Sequence, residues 1–147
     1  MTALLLVFVA ATLVKLALDS SVGEEPGASA VTETEAALIV NYFHTDVRCW
    51  NCNTIERFTQ ETLRERFVDE LDSGSIEWRV ANIDEAENDH FTDDYELVTS
   101  SVVLVEIARS GGEDWKNLGR VWDLVHEEQE FKAYVEDGVR ALLEGQP

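Results

Sequence analysis

Two cysteines, Cys49 and Cys52, are the only ones in this 147-residue chain, and two residues separate them. The hydrophobic rhythm changes across that pair. An apolar run with few polar interruptions, residues 37–44, leads in and reads as a strand buried on both faces. From about Asn53 onward the rhythm is helical: Ile55, Phe58, Thr62, Leu63, Phe67 and Leu71 recur at three- and four-residue steps. Few folds bring a buried strand, a short loop with a Cys-x-x-Cys pair and an amphipathic helix together in that order. It is the order of a thiol–disulfide redox site. The expectation is that Cys49 and Cys52 cycle between dithiol and disulfide at the start of the helix. The competing reading of the pair is a static disulfide or two inert thiols. Two cysteines alone fall short of a closed zinc site, which takes four ligands.

The remaining segments supply a sheet and its cover. Residues 72–75, Asp-Ser-Gly-Ser, end the helix, with Gly74 available for a left-handed cap. Ile76, Trp78 and Val80 alternate with Glu77, Arg79 and Ala81, a strand signal. A short helix is expected within the acidic residues 85–95. Residues 102–108 form another strand, residues 110–113 a turn, and residues 115–121 return as an edge strand. Phe131, Tyr134, Val135, Val139 and Leu142 share one face of a last helix over residues 127–143. The natural solution is an α/β three-layer fold, a mixed central sheet flanked by helices.

Charge and the amino-terminal end restrict the setting. Eleven Lys and Arg against thirty Asp and Glu give a net charge of −19, which excludes nucleic acid as a partner. Residues 3–14 are apolar apart from Thr12, and Leu16 to Leu18 extend the run past Lys15. The length suits a secretory signal or a short membrane anchor, so residues 1–19 are read as that segment. Residues 20–36 are polar, hold Gly and Pro and read as a linker; residues 37–147 form the domain. The expected location is membrane-anchored, or secreted or periplasmic.

Three stretches resemble the thioredoxin-like superfamily. Residues 38–43 with Cys49-Trp50-Asn51-Cys52 resemble its first core strand and active-site turn. Val80-Ala81-Asn82-Ile83-Asp84 resembles its second core strand, and residues 95–105 resemble the segment entering its third. The resemblance implies a thioredoxin-like fold and protein thiols or disulfides as partners. It also marks departures. Ser101 stands where thioredoxins place a cis-proline, and Asn41 where they bury a carboxylate that assists proton transfer. Scattered features are more specific: Tyr42-Phe43-His44, Arg48-Cys49-x-x-Cys52 with Ile55-Glu56, Trp78, Asn82 with Asp84, and Val121-Trp122. These resemble a family of secreted or anchored proteins labelled nitrophenyl compound nitroreductase subunit ArsF. That label implies a membrane redox partner and reduction of nitroaromatic compounds. No Gly-x-Gly-x-x-Gly occurs, and no flavin, nicotinamide or metal is assigned.

A thiolate is the reactive species, so the site must favour it. Unpaired N–H groups and partial positive charge at a helix N-terminus do so. Cys49 is therefore the expected attacking sulfur and Cys52 the resolving one. Arg48, Trp50 and Ser101 are the expected substrate-docking residues. His44 either moves a proton or closes the strand end. His126 reads as a surface residue, and Trp78, Trp115 and Trp122 as core or edge packing. The alternative function is a metal-binding or non-catalytic interaction module, its cysteines holding a soft ion such as copper(I) with His44.

Overall fold

The computed structural model describes residues 37–108 and 112–145. The expectations for residues 1–19 and 20–36 lie outside that span.

The apolar run becomes β1 (Leu38–His44), and it sits inside the sheet. Strand β2 (Ile76–Asn82) pairs with it in parallel, Leu38 opposite Ile76 and Tyr42 opposite Val80. Strand β3 (Ser101–Ile107) pairs with its other edge antiparallel, Phe43 opposite Ser101. Strand β4 (Glu113–Asn117) closes the edge beyond β3, giving the order β2-β1-β3-β4. Helix α1 (Trp50–Arg66) and the short α2 (Val68–Asp72) join β1 to β2. Helix α3 (Phe91–Asp94) precedes β3, and α4 (Val121–Leu124) and α5 (Glu128–Glu144) follow β4. This is a mixed sheet flanked by helices, as the residue pattern implies and consistent with a thioredoxin-like fold.

Strand alternation divides β1 between two cores. Leu38, Val40 and Tyr42 face α1 and α5, in one cluster with Ile55, Phe58, Leu63, Phe131, Val135 and Val139. Phe43 faces the other way, in a second cluster with Val103, Val105 and Leu97. There the α3 segment forms a thinner cover, Phe91 and Tyr95 lying 5.0 and 5.4 Å from the Phe43 ring. The α1–α5 seam is apolar below and charged above. Phe58 meets Phe131 edge-on at 5.4 Å. Lys132 Nζ reaches Glu61 at 3.0 Å, Glu65 at 3.2 Å and Glu128 at 3.0 Å. Gly138 lets α5 come close: a Cβ there would stand 3.1 Å from a Leu118 methyl.

Three local expectations need adjustment. The cysteine helix starts at Trp50, one turn before the apolar period becomes visible, because Cys49 is its cap. It also breaks at Phe67, whose backbone (φ −137°, ψ 33°) leaves the helix before α2 resumes. Gly74 does supply a left-handed turn, φ 76°, after α2. The returning edge strand stops at Asn117. Val121, expected as its last residue, instead begins α4, which buries Val121 and Leu124 against the main core.

Candidate active site

Cys49 is the N-cap of α1, with extended backbone (φ −79°, ψ 168°). An N-cap side chain normally offers oxygen to a free backbone N–H of the first turn. Here sulfur takes that place: the Cys52 N–H donates to Cys49 Sγ at 3.0 Å. The two cysteines form a disulfide, their Cα atoms 5.0 Å apart, within the ordinary range for such a bridge. Their exposure differs. Cys49 is half-buried, whereas Cys52 is 5% exposed. No acidic residue stands in the first turn of α1 to offset the positive end of its dipole.

Arg48 is held along the helix. Its Nε donates to Asn53 Oδ1 at 3.2 Å, and its Nη2 pairs with Glu56 Oε2. Its guanidinium also lies 6.0 Å from the centre of the Tyr42 ring. The charge next to Cys49 is therefore shared with Glu56. Trp50 is 64% exposed, and its ring stacks on His126 at 5.5 Å with 11° between planes. This settles its position, on the surface beside Cys49. It also gives His126, read from the sequence only as a surface residue, a specific neighbour.

A second segment approaches from the sheet. Ser101 opens β3, and its hydroxyl donates to the Thr99 carbonyl at 2.8 Å. Ser100 is buried, and its carbonyl accepts from Trp122 Nε1 at 2.9 Å. Trp122 is thus packed against the core, as expected, and also ties α4 to this turn. Among the described residues no peptide is cis, so Ser101 stands in an ordinary trans turn.

Beneath the helix the outcome differs from the resemblance. Asn41 belongs to the strand positions that alternate with Val40 and Tyr42, away from α1. The residue facing the redox turn is Tyr42, fully buried, whose hydroxyl donates to the Cys52 carbonyl at 2.8 Å. Burial pushes the Tyr42 phenol above its ordinary range, against opposing effects of the Ser100 side chain and Arg48. The phenol therefore remains a donor.

His44 closes the strand end, its Nδ1–H donating to the Thr45 carbonyl at 2.9 Å. The loop from β1 to Cys49 is anchored to the end of β2: Asp46 N–H donates to Asp84 Oδ2 at 2.7 Å, and Asn82 Nδ2 to Asp46 Oδ1 at 2.8 Å. Among the described residues, no three His, Cys, Asp or Glu side chains are grouped to hold a metal ion. Nor is any described helix long and apolar enough to cross a membrane.

No family model matches the chain, and no curated protein matches it. Among solved structures it is similar to a thioredoxin from Thermus thermophilus, at 15% identity and a TM-score of 0.36. The match covers 63% of this chain and 72% of that one. So distant a likeness carries no chemistry, which rests on the geometry of the cysteines and their neighbours.

Proposed function

We propose that the protein is a thiol–disulfide oxidoreductase that exchanges electrons with protein thiols or disulfides through Cys49 and Cys52. One observation carries the reading: the sulfur of the half-buried Cys49 caps α1 and receives the Cys52 N–H at 3.0 Å. On reduction the same N–H faces a thiolate, and hydrogen bonds to charged acceptors are about twice as strong as neutral ones.

In the reducing direction the Cys49 thiolate attacks one sulfur of a partner disulfide. A mixed disulfide forms, and the other partner sulfur leaves as a thiolate and takes a proton. The Cys52 thiol then loses its proton and attacks Cys49 Sγ. The intramolecular disulfide forms, and the partner's second sulfur departs to be protonated. Two electrons have moved to the partner; one of its two protons comes from the Cys52 thiol and the other from solvent. The oxidising direction is the reverse.

Exposed apolar side chains support docking of a protein rather than a small molecule. Val47 and Trp50 flank Cys49, and Val98 stands 96% exposed just before the Ser100–Ser101 turn. Arg48, Trp50 and Ser101 are assigned to that docking face. The wider setting, a membrane-associated reductase system, rests on the apolar residues 3–14.

The test is a pair of variants assayed on a protein disulfide. Cys49→Ser abolishes turnover, and Cys52→Ser accumulates mixed disulfides visible on a non-reducing gel. Full activity in both variants refutes the assignment.

A further inference from the structure

The peptide groups on both sides of Cys52 are committed. Its own N–H points at Cys49 Sγ, at 3.0 Å. Its carbonyl belongs to the next peptide, whose Asn53 N–H donates to the Cys49 carbonyl at 3.0 Å. The Cys52 carbonyl oxygen in turn receives the Tyr42 hydroxyl at 2.8 Å. Tyr42 is fully buried in the central strand, with its ring in the main core cluster, so its hydroxyl is held by a rigid base. In the oxidised protein the disulfide alone would keep Cys52 in register with Cys49. Once that bond is reduced, the covalent tether is gone. The Tyr42 hydroxyl then remains as a buried side-chain contact to the first turn of α1, alongside the exposed Arg48–Asn53 bond.

We infer that Tyr42 is a positioning residue for the redox reaction: its hydroxyl, through the Cys52 carbonyl, keeps the Cys52 N–H aimed at the Cys49 thiolate. The inference rests on the proposed exchange function and adds a residue that touches neither sulfur. Tyr42 does not serve as a proton acceptor, since burial favours its neutral form. It supplies a fixed donor to the Cys52 carbonyl. The dithiol form gains, because a preorganised N–H stabilises charge without having to reorganise.

The test uses the full chain with Tyr42→Phe, which removes one oxygen and keeps the ring. Two readouts go beyond packing. The first is the pH profile of Cys49 alkylation in the chemically reduced protein. Its midpoint rises by about half a pH unit to one unit, the size expected for one lost hydrogen bond. The second is the equilibrium with a glutathione buffer, which shifts about threefold to tenfold toward the disulfide. A complementary perturbation replaces the three tyrosines with 3-fluorotyrosine, a stronger donor of nearly the same shape. It moves both readouts the opposite way. If Tyr42→Phe lowers the melting temperature but leaves the alkylation midpoint and the glutathione equilibrium unchanged, Tyr42 only packs, and the inference is overturned. The alkylation profile does not need exchange with a partner. A shifted midpoint in a protein that fails to equilibrate with glutathione therefore overturns the proposed function while leaving the role of Tyr42 standing.

Discussion

Reducing the disulfide should change the stability of this domain very little, and that separates an exchange site from a structural bridge. The bridge closes a small loop, Cys49 to Cys52. In the chain-entropy treatment a loop that short restricts the unfolded state by about 2 kcal/mol, and reduction removes that advantage. The folded dithiol form recovers part of it. The Cys52 N–H changes partner from a neutral sulfur to a thiolate, a gain of about 1 kcal/mol. The positive end of α1, with no acidic residue in its first turn, adds about 0.3–1 kcal/mol. The difference left is about 1 kcal/mol or less. The assay is urea denaturation of both forms followed by tryptophan fluorescence, the dithiol form held by a phosphine reductant at pH 8. Repeating the pair at pH 5 protonates the thiolate and removes its contribution, so the deficit of the reduced form grows toward about 2 kcal/mol. Other titrating groups are common to both forms and cancel in the comparison. A loss of more than about 2 kcal/mol at pH 8, in the range typical of structural bridges in small domains, refutes the reasoning. So does a difference that ignores pH.

Two further outcomes follow from other contacts. Trp122→Phe leaves the buried Ser100 carbonyl without its indole donor; it should destabilise the fold by about 1–3 kcal/mol in thermal unfolding. It should also slow exchange with protein disulfides more than with a small neutral disulfide, and equal slowing would mean that the Ser100–Ser101 turn does not dock substrate. Acid should weaken the fold through specific carboxylates. At Glu61 burial raises the carboxyl pKa, but hydrogen bonds from Lys132 and Arg57 outweigh it and hold it below the usual range. At Glu77 the bond from Arg79 does the same. A depressed folded pKa gives stability that is present above the unfolded value, about 4.3, and lost as pH falls through the folded one. The urea midpoint should therefore hold from pH 7 to 5 and fall below about pH 4.5, less steeply in Glu61→Gln. An identical acid limb in that variant would sink the assignment.

Much of the architecture was legible because the residues carry redundant signals. The strand–cysteine–helix order could be read from one apolar run, one change of period and the only two cysteines. The two long helices followed from their three- and four-residue steps. The misses have local physical causes. The break at Phe67 is invisible because Leu63, Phe67 and Leu71 keep the apolar step across it, with no glycine or proline to mark it. The edge strand was carried too far, to Val121, because Leu118 and Val121 are apolar on either side of polar residues. The mistaken weight on Asn41 has a subtler origin. A strand buried on both faces loses its period of two, so nothing in residues 38–43 tells which side chain looks toward the cysteines. Likewise, no spacing rule links Trp50 to His126, which meet only through the tertiary fold.

The interior place of β1 has a consequence for how the chain is made. This strand leaves the ribosome before either neighbour, and β3, its antiparallel partner, follows only after α1, α2, β2 and α3. Seven residues with Leu38, Ile39, Val40, Tyr42 and Phe43 carry two unsatisfied edges until β2 emerges and one until β3 does, with two greasy faces. A nascent chain in that condition is a natural client for a holdase, and an arrest of synthesis before Ser101 should leave it captured or clumped rather than folded.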